Sequence, residues 1–459
     1  MVTGLGAITP IGRDMPSTWE AVLGKSICGG ITNLKDALAL QDLSSDQYER
    51  EWNLIKSLSC QVAASVNSDW INDHPSAAEL QINDGRTSRF VKLALIAAYE
   101  AMMHSGLKPS ESESFGVSIG SGMSSTRDVS MASSVLSADS NQERANRKIS
   151  PHFVPRILSN SPSARVAIHN KLLGPNISHA EACAAGACAI SHGVELIQSG
   201  RVKGMLVGGC ESAVEALGFI GFSRLRALSA SKVTAEYVEA SCSRPFDSTR
   251  DGFVLSEGAA MLVLEEKEFA ISRGANILAE VVGIGYSGDG FHITAPEPDG
   301  KGAARAMLNA THDAAIDMGT VDYINAHATS TPIGDMAEIR AIRLALSEAK
   351  SMSSKDPLSV SSTKGAMGHL LGASGAIEAA ITVLSIVHQI VPHTQNLKHI
   401  SDDILPIISC DFKSNNQPLS KNIHLVKHAP LVQPVNTAMS NSFGFGGTNV
   451  SLIFSKYVR

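Results

Sequence analysis

Short apolar, strand-like runs alternate with helix-patterned segments along the whole 459-residue chain, and the alternation occurs twice. In the first half, strands are expected over 116–120, 176–178, 204–208 and 258–265, with helices over 90–105 and 187–199. The second half offers strands over 279–285, 323–326, 358–361 and 449–454, with helices over 302–318, 336–349 and from Gly375 onward. Strands separated by helices of this length build sheets covered by helices, so the fold class is α/β. Each half also sets a reactive-looking residue just after a short strand, Cys183 in one and His327 in the other. A duplicated α/β unit, divided at 268/269, is the expectation.

Composition narrows the function classes. Hydrophobic residues make up 44% of the chain and charged residues 18%, enough for a large buried core. A net charge of −6 without a basic tail argues against nucleic acid as a partner. The apolar run 376–391 is interrupted by Glu378, His388 and Gln389 and reads as a buried amphipathic helix, not a membrane span. Seven cysteines (Cys28, Cys60, Cys183, Cys188, Cys210, Cys242, Cys410) lack paired metal-ligand spacing, so no metal site is expected. They read as reduced thiols of an intracellular compartment. No signal or transit sequence precedes Val2-Thr3-Gly4-Leu5-Gly6, which reads as part of a strand. The polar stretch 413–435 reads as an exposed loop.

Three motifs carry chemistry. In Ala182-Cys183-Ala184-Ala185-Gly186-Ala187-Cys188, small residues follow a strand and lead into a helix. A cysteine at that first turn faces free N–H groups and the positive dipole end, which favour a thiolate. A lone cysteine is more often a small buried hydrophobe. Asn325-Ala326-His327-Ala328-Thr329-Ser330-Thr331 places a histidine at a strand end, either as a core or capping residue or as a neutral imidazole donating to a carbonyl. In Ser361-Ser362-Thr363-Lys364-Gly365-Ala366-Met367-Gly368-His369, followed by Glu378, three charged or titratable groups stand among small apolar residues. Such groups must satisfy one another, as a buried ion pair or as an active site. Asn441-Ser442-Phe443-Gly444-Phe445-Gly446-Gly447 precedes a strand instead of a helix, so it suits oxyanion donors with a phenyl lid, or a plain tight turn. Gly283-x-Gly285-x-x-Gly288 matches a dinucleotide fingerprint formally, but no helix can follow in the Gly- and Pro-rich 289–300 segment. One cysteine, two histidines and a lysine suit acyl transfer onto sulfur followed by carbanion chemistry.

Together these motifs resemble those of β-ketoacyl-acyl-carrier-protein synthases of the type II elongating, mitochondrial kind. The resemblance runs from Val2-Thr3-Gly4-Leu5-Gly6 to Leu452-Ile453-Phe454 and includes Lys148-Ile149-Ser150-Pro151, Arg244-Pro245-Phe246-Asp247 and Arg250-Asp251-Gly252-Phe253-Val254. It implies a thiolase-like fold of two pseudo-equivalent halves in five αβαβα layers, usually a homodimer. Residues 1–268 would carry the nucleophile and 269–459 the two histidines. By the same resemblance Cys183 is the nucleophile, His327 and His369 the catalytic histidines, and Lys364 their support, with Glu378 beside it. The N–H groups of Cys183 and Phe445 would form the oxyanion hole, and Phe445 the gate. Thr329 and Thr331 would meet the phosphopantetheine arm, and Met123 and Phe222 the acyl tunnel. No resident cofactor is implied, since phosphopantetheine arrives on the acyl carrier protein that brings acyl and malonyl groups. Arg86, Arg89, Lys92 and Arg226 are candidates for docking that acidic partner, the first three on one helix face, with a solvated surface as the alternative.

Ala328 stands where most members have Gly; it reads as a mitochondrial subgroup mark and points to the matrix, cytoplasm and plastid being the alternatives. A thiolase would need a late Cys-x-Gly motif, and Cys410 is followed by Asp411-Phe412. A polyketide-type ketosynthase shares the triad, and a catalytically silent partner subunit would replace the nucleophile that is intact here.

Overall fold

The computed structural model describes residues 1–26, 30–83, 85–108, 111, 113–138, 140–231, 239–349, 357–409 and 421–458. Cys28, Cys410 and the 413–420 part of the polar stretch lie outside the described residues. Two sheets organise the chain. The first contains β1 (Val2–Ile8), β2 (Phe115–Gly120), β3 (Asn176–His179), β4 (Gly204–Ser212) and β5 (Glu257–Glu265), in the order β1-β5-β4-β2-β3. The second contains β6 (Glu280–Gly288), β7 (Tyr323–Asn325), β8 (Leu358–Ser361), β9 (Ile423–Leu425), β10 (Thr437–Gly444) and β11 (Thr448–Ser455), in the order β9-β8-β7-β10-β11-β6.

The pairings reveal the duplication. In the first sheet β1 runs antiparallel to β5 and β5 to β4, while β4, β2 and β3 are parallel. In the second, β6 runs antiparallel to β11 and β11 to β10, while β10, β7, β8 and β9 are parallel. The halves therefore superpose strand for strand, with β9 added at one edge. Five main helices cover these sheets: α1 (Arg89–Ser105), α2 (Ala185–Gln198), α3 (Lys301–Asp313), α4 (Pro332–Ser347) and α5 (Ser374–His388). Helices α2 and α5 pack on each other between the sheets, α1 covers the outer face of the first, and α3 with α4 covers the second. This is the five-layer αβαβα arrangement. By length and composition Leu371–His388 could cross a membrane, but 89% of it is buried in this central layer.

The topology corrects the expected parallel between Cys183 and His327. Cys183 follows β3, whose counterpart is β8, not the β7 that precedes His327. The turn equivalent to Ala182–Ala184 is Leu371–Ala373, just before α5. Both 3₁₀ turns open on a left-handed non-glycine residue, Ala182 and Leu371, each at φ +48°. Backbone held in that region by a non-glycine residue is strained and marks a functional corner.

Most expected elements agree within a few residues. Helix α3 stops at Asp313 instead of 318, because Ala315 turns left-handed at φ +52°. The expected exposed loop is wrong for 421–426, where β9 extends the second sheet and buries Ile423 and Leu425, while 427–434 stays half-buried or exposed. The rejected dinucleotide fingerprint is strand β6, and its first two glycines serve packing. A Cβ on Gly283 would stand 2.3 Å from Ala310 O, and one on Gly285 2.0 Å from Ala306 O, both on α3. Gly285→Ala is therefore expected to destabilise the protein by about 1–3 kcal/mol, the usual cost of overpacking, measured by urea unfolding.

Candidate active site

Cys183, His327 and His369 come from three separate turns and meet in one cavity of about 480 Å³. Cys183 lies in the Ala182–Ala184 turn and is 8% exposed. Its Sγ is 3.1 Å from His369 Nε2. The ring centroids of His369 and His327 are 5.4 Å apart, nearly perpendicular at 82°. Phe253 packs edge-on to His369 at 5.2 Å and Phe443 to His327 at 5.7 Å, so apolar rings close the sides of the pair.

Lys364 and Glu378 form a buried ion pair beside this centre. The Lys364 ammonium also lies 3.5 Å from His327 Nδ1. An ammonium can only donate, so Nδ1 is the acceptor and His327 carries its proton on Nε2. Burial, with help from Lys364, lowers both histidines well below their ordinary pKa, so both are neutral. Burial pushes the Glu378 carboxyl up to about 7 against the pull of Lys364.

The expected thiolate is not what the resting site favours. Burial pushes the Cys183 thiol up to about 12, and Lys364, the main opposing influence, does not reverse it. A dipole worth about 0.3–1 kcal/mol is too weak for that degree of desolvation.

The remaining predicted residues divide clearly. Phe222, Thr329, Thr331 and Phe445 line the cavity, together with Phe443, which was not among them, and Arg226 stands exposed at its rim. Met123 is not a lining residue; it packs in the apolar cluster around Cys183, with its N–H 3.3 Å from Glu211 Oε1. The N–H of Phe445 makes no hydrogen bond to another main-chain group among the described residues, and the N–H of Cys183 faces its own sulfur. Ala328 needs no left-handed backbone; that conformation falls on Ser330, at φ +71°.

The proposed basic helix face is overturned. Arg86 precedes α1, which begins at Arg89. Arg89 turns inward, binding Glu257 through Nε (2.9 Å) and Nη2 (2.7 Å), with Ser68 and Val66 taking its other donors. Only the half-buried Lys92 remains on the helix.

Sequence reasoning missed three polar groups. Glu338 on α4 accepts the N–H groups of His327 (2.9 Å) and Ala328 (2.7 Å) and the amide of Asn441 (3.1 Å). Glu211, at the end of β4, accepts Gly122 N (2.7 Å) from one half and Gly372 N (3.1 Å) from the other. Ser374 lies 2.9 Å from His369 Nδ1. A carboxylate inside an apolar stripe, as in Met336-Ala337-Glu338-Ile339, or ending an apolar strand, as in Gly209-Cys210-Glu211, was the available signal.

Two family models match the chain. The β-ketoacyl synthase N-terminal domain matches residues 1–270 and the C-terminal domain 278–398. The chain belongs to the β-ketoacyl synthase family. It is 42% identical to the mitochondrial 3-oxoacyl-[acyl-carrier-protein] synthase of Arabidopsis thaliana, over 99% of this chain and 92% of that protein. It is 36% identical to the 3-oxoacyl-[acyl-carrier-protein] synthase homolog of Saccharomyces cerevisiae, over 100% and 98%. Among solved structures, a β-ketoacyl synthase from Burkholderia phymatum matches with a TM-score of 0.79 at 28% identity, covering 100% of this chain and 99% of that one. A type II polyketide ketosynthase in complex with its acyl-carrier protein matches equally, at 26% identity over 100% and 98%. The enzyme is thus a condensing acyltransferase with the thiolase-like fold.

Two measurements check the electrostatics. Alkylation of Cys183 by iodoacetamide should rise about tenfold per pH unit from neutral into alkaline solution without a plateau near neutrality, because only the thiolate reacts. Lys364→Met should cost about 3–5 kcal/mol of unfolding free energy by leaving Glu378 buried and unpaired, and Lys364→Met with Glu378→Leu should cost less.

Proposed function

We propose that the enzyme is a 3-oxoacyl-[acyl-carrier-protein] synthase that elongates fatty acids by two carbons. The observation that carries this reading is the convergence of Cys183 from the first half with His369 and His327 from the second in one cavity. In the first step Cys183 sulfur attacks the acyl thioester of a carrier protein. The acyl–sulfur bond to the carrier breaks, and the carrier's thiol leaves with a proton. Malonyl carrier then enters, and its carboxylate leaves as carbon dioxide. The resulting enolate oxygen accepts hydrogen bonds from the histidine Nε2 positions. The enolate carbon attacks the Cys183 thioester, and the tetrahedral oxyanion is held by the N–H groups of Cys183 and Phe445. Collapse expels the Cys183 thiolate, which takes a proton from solvent, and releases the 3-oxoacyl carrier.

In this reading Thr329 and Thr331 receive the phosphopantetheine arm, and Phe445 gates the acyl pocket that Phe222 borders and Met123 backs. Arg226, at the rim, remains the docking contact for the acidic carrier. No resident cofactor is required, since the pantetheine arrives with the substrate. We place the boundary between the halves at 268/269, in the connection between β5 and β6. The working form is a homodimer in the mitochondrial matrix, a location supported by the mitochondrial relative.

Cys183→Ala should take up no acyl group and condense nothing while remaining folded. His327→Ala should still acylate Cys183 but release carbon dioxide from malonyl carrier about 10²- to 10³-fold more slowly. Mass analysis of the Cys183 peptide and trapped labelled carbon dioxide read the two steps, and condensation by Cys183→Ala would refute the assignment.

A further inference from the structure

We propose that Ser374 is a positioning residue for His369: its hydroxyl donates to Nδ1 and so holds the imidazole with its proton on Nε2, facing Cys183. Ser374 is the first residue of α5 and is 1% exposed. Its Oγ lies 2.9 Å from Nδ1, and among the described residues its side chain has no other hydrogen-bond partner. Were Nδ1–H the donor, the buried serine proton would have no acceptor, an arrangement folded proteins avoid. With the hydroxyl as donor, both groups are satisfied. A neutral imidazole carries a single N–H, so an accepting Nδ1 leaves the proton on Nε2, 3.1 Å from the Cys183 sulfur. The low pKa of His369 supports this, because the ring is neutral.

The arrangement parallels that of His327, whose Nδ1 faces the Lys364 ammonium. Each histidine thus has a dedicated donor behind it and presents Nε2–H to the cavity. One donor is charged and the other neutral. Ser374 is itself held in place. Two residues earlier, Gly372 donates to Glu211, and a Cβ on Gly372 would stand 2.3 Å from Gly122 N and 2.9 Å from Glu211 Oε2. The turn that delivers the hydroxyl therefore has little room to drift.

The inference deepens the condensing reading and rests on it only for the catalytic consequence. The test uses the full chain with ¹⁵N-labelled histidine, with Ser374→Ala, Ser374→Thr and Glu211→Gln as variants. In the unliganded wild type, His369 should show an unprotonated Nδ1, and Ser374→Ala should show a mixture of tautomers. Glu211→Gln, which loosens the turn, should give a mixture as well. In decarboxylation of malonyl carrier, Ser374→Ala should lose about tenfold in kcat with KM little changed, less than removal of a whole donor costs. Ser374→Thr should recover the wild-type tautomer and most of the rate. A protonated Nδ1 in the wild type, or a single unchanged tautomer in Ser374→Ala, overturns the proposal. Because the spectrum needs no substrate, a wild type with the expected tautomer but no decarboxylation would count against the condensing reading alone.

Discussion

Backbone contact between α2 and α5 is the constraint on which the site depends. A Cβ on Gly186 would stand 2.9 Å from both Ala376 N and Gly372 O, so only glycine lets the two helices approach this closely. The helices begin at equivalent turns of the two halves. Bringing their N-terminal ends together therefore brings Cys183 from one half to His369 from the other. The flanking residues (Ala184, Ala187, Ala373, Ala376) are small and fully buried, so the contact has the density of a protein interior and little freedom to slide. A reacting geometry set to fractions of an ångström needs such a foundation.

The duplication also explains how the backbone around the site is satisfied. In the first half the chain leaving β2 delivers Gly122 N to Glu211; in the second the chain leaving β7 delivers His327 N and Ala328 N to Glu338. Each buried carboxylate anchors an equivalent exit, which would otherwise bury unpaired N–H groups. Glu211 goes further by accepting Gly372 N as well, so one carboxylate joins the two halves next to the nucleophile. At the mouth, Gly446 N donates to Ile293 O at 2.7 Å and Asp289 N to Gly447 O at 2.9 Å. The loop carrying Phe445 is thereby tied to the segment that forms the cavity's outer wall, and movement of one displaces the other.

Much of this was legible in the residues. The alternation of short apolar runs with helical patterns carried the α/β class, and Cys183, His327, His369, Lys364 and Glu378 stood out as costly groups among small neighbours. Their convergence could not be read, because it depends on sheet topology and on the contact at Gly186, which link positions 186 residues apart. The docking face failed for a related reason. Spacing places Arg89 on a helix, but only the fold supplies Glu257 across the sheet to draw it inward. Ser374 was invisible because a serine beside a helix start is ordinary until a histidine is seen above it.

The state of Cys183 turns on a comparison of magnitudes. A helix N-terminus stabilises a nearby anion by about 0.3–1 kcal/mol, and by at most about 2 in partly buried geometry. Moving a thiol from its ordinary 9.0 to about 12 corresponds to roughly 4 kcal/mol in the opposite direction. Desolvation wins, so the resting cysteine is a thiol and the charge appears only as reaction proceeds. A site arranged this way must supply donors to the developing anion instead of storing the anion beforehand. Two neutral imidazoles with Nε2–H toward the cavity, and the backbone N–H groups of Cys183 and Phe445, meet that requirement without placing a further charge beside the sulfur. Lys364, the cation beside His327, is matched by Glu378, so its field orients His327 without leaving a net charge next to the pair.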